Sequence, residues 1–367
     1  MEQFPLHLGS AKIFKVVETS MDFPPRQFFK SEAAMAEERA SKQLPTPGPP
    51  EPEDPYYSTA EAQAVDSMVA AVDWLRPHYL NDNENMVLSV HMIIVETASG
   101  KRIAVDTCIG DNKNLPSHGA FHQKHSSFLD DLRNAGCPPE SIDFVLCTHL
   151  HFDHVGFNTI LQDGQWIPTF PNAKYLFAKK EWNAYQDEME AGKDYIGSVA
   201  VFKDSLQPIV DAGLHELVDS NHVLVDDGSS RVYLRPTEGH TEGHVSVVIE
   251  SAGESAIITG DCIHHPAQLA YPQLGTFFDS NSAAAADTRE ALFRDMAEKG
   301  IMMIGTHFPA PTAGYLRRDE LNSRMAYRFC QSYEAGCSSP NVARNSCTWC
   351  TFQLPSCMSP DAAAGGA

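Results

Sequence analysis

Basic side chains are scarce in this chain. It holds 27 Lys and Arg against 48 Asp and Glu, a net charge of −21 over 367 residues. A nucleic-acid backbone or an anionic membrane surface rewards basic patches, so this balance excludes both as the main partner. Long hydrophobic runs are missing as well: none approaches the roughly 18 apolar residues that a membrane-spanning helix needs. The N-terminus, Met1-Glu2-Gln3-Phe4-Pro5-Leu6-His7, has no basic stretch followed by an apolar one and does not read as a secretory signal. A paired cysteine framework is lacking too. The nine cysteines are an odd number, and Cys108, Cys137, Cys147 and Cys262 stand singly in apolar or turn contexts. Reduced thiols in a cytoplasmic setting fit that pattern better than disulfides do.

The 43% hydrophobic content is ordinary for a globular protein, and the length is enough to bury a substantial core. Strand-like runs fall at residues 12–17, 87–95, 102–107, 142–147, 175–177, 232–234, 245–250 and 256–259. Helical patterns fall at 128–135, 180–190 and 283–299, the first stopped by Gly136 and the Pro138-Pro139 pair. Strands alternating with helices in short units predict an α/β layered domain with a mixed sheet. Residues 45–55 carry six prolines and read as an extended linker. Composition therefore divides the chain into an N-terminal extension with its linker (1–60), a folded domain (61–325) and a Cys-rich tail (326–367). The tail is expected to be poorly ordered, with Cys347 and Cys350 as incidental thiols, since no second such pair answers them.

The 16 histidines cluster. Thr148-His149-Leu150-His151-Phe152-Asp153-His154-Val155-Gly156 follows directly on the apolar strand at 142–147. An extended strand end places His149 and His151 on one face, and a turn beginning at Asp153 can aim Asp153 and His154 at a neighbouring point. Imidazole and carboxylate are good ligands for borderline metals, so two adjacent sites are expected. His240, in Glu238-Gly239-His240-Thr241-Glu242-Gly243-His244, Asp261 in Thr259-Gly260-Asp261-Cys262, and His307 after Met302-Met303-Ile304-Gly305-Thr306 each lie just past a predicted strand. That is where α/β folds place reactive groups.

With these motifs in order, the sequence resembles the metallo-β-lactamase fold superfamily of hydrolases over roughly residues 85–315. Its surroundings look closest to the lactonase and methyl-parathion-hydrolase-like branch. Cys108 and Glu242 depart there from the commoner Gly and Pro, which touches loop shape more than ligation. The resemblance implies an αββα sandwich with a dinuclear metal site at the edge of two sheets. His149, His151 and His240 would hold one metal, Asp153, His154 and His307 the other, and Asp261 would bridge them. The cofactors implied are two zinc ions per chain, with iron or manganese as substitutes. Between them a bridging water would ionise near neutral pH and attack a lactone, ester or phosphotriester. Asp153 would orient the nucleophile, and His264 would contact the substrate oxygen or protonate the leaving group. His244 is expected to be structural. Trp166, Phe170, Trp182, Phe277 and Phe278 are candidates for an apolar pocket, with core packing the commoner role for each.

A thioesterase of glyoxalase II type would need a basic glutathione-binding C-terminal region, which the tail does not resemble. An iron-dependent oxygenase or persulfide dioxygenase of the same fold shares many of these ligands and is separated by metal identity. The partner expected is a small molecule. Oligomeric state is open, and the N-terminal segment could cover the site or a second subunit of a homodimer.

Overall fold

The computed structural model describes residues 4–40, 58–192, 198–321 and 324–331. The Pro-rich stretch, Cys347 and Cys350, and nearly all of the tail expected beyond residue 326 lie outside the described residues. In chain order the strands begin with β1 (Leu6–Leu8), β2 (Ala11–Phe23), β3 (Met86–Glu96), β4 (Arg102–Val105) and β5 (Phe144–Leu146). A separate hairpin, β6 (Thr159–Gln162) with β7 (Gln165–Pro168), precedes β8 (Lys174–Ala178) and β9 (His215–Val218). The second half holds β10 (Val223–Asp226), β11 (Ser230–Pro236), β12 (Val245–Ser251), β13 (Glu254–Ile258), β14 (Met302–Ile304), β15 (Ala313–Leu321) and β16 (Arg324–Cys330).

Among the described residues these form two seven-stranded sheets, ordered β1-β2-β3-β4-β5-β8-β9 and β10-β11-β12-β13-β14-β15-β16. Pairing is parallel along β4, β5, β8 and β9 and between β13 and β14, and antiparallel elsewhere in both sheets. The sheets face each other. Ile93, Val95, Ile103 and Leu146 of the first pack with Val245, Val247, Ile249 and Ile258 of the second. Period-two alternation explains the split: on β3, Val90, Met92 and Ile94 point instead to the opposite face, against the helix Phe128–Asn134. On β12, Val248 likewise turns outward to Leu292 and Phe293 of the long helix Ser282–Lys299. Both strands are buried on two faces, which is why their sequences read as nearly continuous apolar runs. Each fully buried Val or Ile contributes about 1.5–3 kcal/mol. The long helix is set by Asn281, whose side chain accepts from the Ala284 N–H, and ends at Gly300 with φ 65°. The layers are those of an αββα sandwich.

The N-terminal segment differs from the expected extension. β2 pairs with β3 from Lys12 opposite Glu96 to Phe23 opposite Met86, and it belongs to the same compact unit as the rest of the described residues. The reason is that β3 is buried on both faces and needs a partner on each edge; β4 covers only part of one. Nor does residue 325 mark a boundary, because it lies inside β16. Among the described residues no helix is long and apolar enough to cross a membrane.

Candidate metal centre

One edge of the sandwich collects the histidine motifs. The chain leaves β5 at Leu146, and His149 and His151 follow before the single-turn helix Phe152–Val155, which carries Asp153 and His154. His240 lies in the loop between β11 and β12, Asp261 in the turn Gly260–Cys262 after β13, and His307 beyond β14. Gly156 is what lets the first motif seat. A Cβ there would stand 1.8 Å from the Ile109 carbonyl oxygen, so only glycine permits the loop 106–110 to lie against the helix. That contact is laced by backbone bonds from the Gly156 N–H to the Cys108 carbonyl at 2.8 Å and from the Thr107 N–H to the His154 carbonyl at 2.7 Å.

Nε2 of His240 lies 3.2 Å from Nε2 of His149 and 3.1 Å from Nδ1 of His151. On the other side, Nε2 of His154 and Nε2 of His307 each lie 3.6 Å from a carboxylate oxygen of Asp153. Asp261 stands between these groups. Its Oδ2 is 3.7 Å from His149, 3.5 Å from His240 and 3.3 Å from His154, while its Oδ1 is 3.1 Å from His307. His149, His154, His240, Asp261 and His307 are buried, whereas His151 and Asp153 are half-buried, so the site opens on that side. His264 approaches from beyond Asp261, its Nε2 3.1 Å from Oδ2.

These donors fit a pair of divalent ions. Nδ1 of His240 donates to Asp279 at 3.0 Å and Nδ1 of His307 donates to the Ser89 carbonyl at 3.2 Å, which leaves each Nε2 as a lone pair facing the others. Nε2 of His154 and Oδ1 of Asp261 are buried without a hydrogen-bond partner. Lone pairs converging in a dry site repel unless a cation lies among them. Among the described residues, the sets His149/His151/His240, His149/His154/Asp261, Asp153/His154/His307 and His240/Asp261/His264 each bring three donor atoms within 4.8 Å of one another. Imidazole and carboxylate without thiolate suit zinc, iron or manganese.

Burial and neighbouring histidines hold the imidazoles of His149 and His151 well below their ordinary value, in the neutral form that metals bind. Burial alone would raise Asp261, but His154, His307 and His264 hold its carboxyl well below the usual range. Burial opposes the charged form of His154 too, yet Asp261, Asp153 and Asp106 raise it.

His244 is structural. It donates from Nδ1 to Thr237 and accepts the Asp261 N–H at Nε2 at 2.9 Å, and burial pushes it down to about 3. Phe170 and Trp182 pack behind the first sheet, and Trp166 lies under the Lys113 ammonium at 3.7 Å. Phe278 contacts Phe28, whose ring in turn meets His264 edge-on at 5.3 Å. Four contributors escape a reading of the sequence. Asp106, whose Oδ2 lies 3.0 Å from Nδ1 of His154, stands in a strand-end motif but carries no spacing signal. Asp279 is far from His240 in sequence. Ser89 acts through its carbonyl. Glu181 accepts from the Leu150 N–H, the Gly243 N–H and the Thr241 hydroxyl, tying the His149 loop to the His240 loop.

The chain matches the metallo-beta-lactamase superfamily over residues 86–307, and it belongs to that superfamily. It is 24% identical over 190 residues to an N-acyl homoserine lactonase from a Bacillus species, a match covering 49% of this chain and 65% of the relative. It is 25% identical over 206 residues to the N-acyl homoserine lactonase AttM of Rhizobium johnstonii, covering 54% and 71%. The matched stretches thus span about two thirds of the relatives' lengths. Among solved structures, the hydrolase AbOPH of the beta lactamase superfamily superposes with a TM-score of 0.64 at 22% identity, covering 90% of this chain and 97% of that one. AidC, described as a dizinc quorum-quenching lactonase, superposes with a TM-score of 0.63 at 17% identity and the same coverage. At these identities the two structures speak for the fold.

Proposed function

We propose that the chain is a metal-dependent hydrolase that cleaves a lactone, ester or phosphotriester with two zinc ions. The observation that carries this reading is the place of Asp261, whose carboxylate lies between the two groups of donors, 3.5–3.7 Å from His149 and His240 and 3.1–3.3 Å from His307 and His154. His149, His151 and His240 would hold one ion, Asp153, His154 and His307 the other, with Asp261 shared. Bound there, two divalent ions supply a hydroxide nucleophile at neutral pH and polarise the substrate oxygen.

The chain's own residues supply the rest. Asp153 is half-buried at the open side, where its carboxylate can orient water and carry a proton to the leaving group. His264 is buried, with Nε2 3.1 Å from Asp261 and Nδ1 without a hydrogen-bond partner, and it would contact the substrate oxygen or protonate the leaving group. Phe28 and Phe278 beside it offer apolar surface. Seven proposed ligands with two carboxylates leave a locally positive pocket once two dications are bound, which favours small neutral or mildly anionic electrophiles. Resemblance to relatives named as lactonases supports a lactone among the three substrate classes. Cys108, Cys137, Cys147 and Cys262 are buried thiols outside any disulfide, which supports a cytoplasmic setting.

The test is hydrolysis of a panel of lactones, aryl esters and phosphotriesters by protein of known metal content, with His149→Ala as control. Activity that survives chelation or His149→Ala overturns the mechanism, and bound iron with O₂ consumption overturns the hydrolase. His264→Phe with full metal content is expected to change kcat or KM; unchanged constants remove His264 from the reaction.

A further inference from the structure

His240 is held more elaborately than its neighbours. Asp279, fully buried, accepts from His240 Nδ1 through Oδ1 at 3.0 Å and from the Thr276 N–H through Oδ2 at 2.7 Å. Both carboxylate oxygens are thereby committed. The two following residues close the backbone onto the same loop: the Ser280 N–H donates to the His240 carbonyl at 2.8 Å and the Asn281 N–H to the Gly239 carbonyl at 2.9 Å. Gly239 itself, at φ 132°, has no room for a Cβ, which would stand 2.2 Å from the Ala285 nitrogen.

The stretch that performs this grip is in turn held by the N-terminal segment. The Lys30 N–H donates to the Gly275 carbonyl at 2.9 Å, and the Phe277 N–H donates to the Phe28 carbonyl at 3.2 Å. Glu38 accepts from the Ser282 N–H at 2.8 Å while pairing with Lys30 at 2.6 Å, and Lys30 also donates to the Ser282 hydroxyl at 2.8 Å. Both members of that ion pair are buried, with side-chain exposures of 7% and 6%. A buried pair so well provided with hydrogen bonds fixes position more than it adds stability.

We propose that Asp279 is a positioning residue for the metal centre. It fixes the tautomer and direction of His240 so that Nε2 faces His149 and His151, and the buried Lys30–Glu38 pair keeps the Asp279 stretch in register. The inference rests on the metal reading above. A carboxylate behind a histidine ligand restricts the ring and raises its basicity, and its loss typically costs 10–100-fold in metal affinity. The effect is specific to one side of the site, because His154 and His307 are backed by Asp106 and by the Ser89 carbonyl.

The experiment is cobalt titration of the metal-stripped full chain, followed by visible absorption, with far-UV circular dichroism on each sample. Wild type, Asp279→Asn, Asp279→Ala, Glu38→Gln and His149→Ala are compared. The wild type is expected to bind two Co²⁺. Both Asp279 variants should bind one of them 10–100-fold more weakly, and their residual spectrum should match that of His149→Ala with one ion bound. Glu38→Gln should weaken the same ion by a smaller factor. Wild-type affinity for both ions in the Asp279 variants, or equal weakening of both, overturns the positioning role. If Asp279→Ala fails to fold, Asp279→Asn, which keeps the shape, decides. Undiminished affinity in Glu38→Gln removes the N-terminal pair from the account. A wild type that binds no cobalt sinks the metal reading itself.

Discussion

Nδ1 of His154 lies 3.0 Å from Oδ2 of Asp106, and both side chains are buried. Asp106 reaches this place from an unusual backbone, with φ 56°, a left-handed conformation that Asp tolerates better than most residues. Its other contacts hold the same strand end: Oδ1 accepts from the Thr148 N–H at 2.7 Å and Oδ2 from the Thr148 hydroxyl at 2.9 Å. One carboxylate therefore sets both the histidine and the turn that delivers His149.

Asp106→Asn removes the charge that faces His154 while keeping the shape. Metal affinity on the Asp153/His154/His307 side is expected to fall by about 10–100-fold, and kcat/KM with it. Metal analysis after dialysis against a graded chelator series checks this. Wild-type retention of both ions would show that Asp106 serves only the turn.

Gly156→Ala places a methyl group against the Ile109 carbonyl carbon and oxygen, at 2.0 and 1.8 Å. Backbone on both sides cannot yield cheaply, so the variant is expected to lose at least about 3 kcal/mol of stability, in the range of the large mutational effects. Gly164→Ala is the control. Its φ is positive, at 79°, where that of Gly156 is −61°, but nothing lies within 4 Å of its Cβ, so it should cost only about 1–2 kcal/mol of backbone strain. Urea denaturation of the two variants separates crowding from φ strain; equal losses would contradict the crowding.

Much of this is legible in the sequence because the layers obey simple periodicity. The runs at 87–95, 245–250 and 256–259 emerge as β3, β12 and β13, each an apolar stretch with a turn beyond it. Of the seven proposed ligands, His149, His151, Asp153 and His154 stand out because such short spacings at a strand end are rare, whereas His240, Asp261 and His307 gain weight only beside that motif and through the resemblance. The hairpin of β6 and β7 escaped because Trp166 and Pro168 break any alternation. The apolar pattern shows only residues 12–17 of β2 and not its place in the sheet, because its register shifts between Val17 and Thr19, where Glu18 turns inward to accept from the Ile109 and Gly110 N–H groups. Asp279 and Glu181 act on loops far away in sequence, and no local pattern encodes such a contact.

Lys113 supplies a pH test away from the proposed ligands. Its ammonium donates to the Thr159 hydroxyl at 2.7 Å and to the Asp204 carbonyl at 3.2 Å. Burial pushes it down from 10.5 to about 7, with Asp204 and Asp111 opposing. Between those two values the unfolded chain carries a proton that the folded chain has shed, so stability rises with pH across that window and the gain is absent below it. The wild type should therefore gain up to about 1.4 kcal/mol per pH unit relative to Lys113→Met. Urea midpoints at pH 6, 7, 8 and 9 check this, and parallel profiles for the two proteins would contradict it.

In the proposed metal centre, one edge of the sandwich holds two metal ions sharing Asp261. Anomalous diffraction at the zinc edge from crystals of zinc-loaded protein tests it most directly. Two peaks are expected, one among His149, His151 and His240, the other among Asp153, His154 and His307, with Asp261 touching both. A single peak, or two that leave Asp261 outside their coordination, would contradict it.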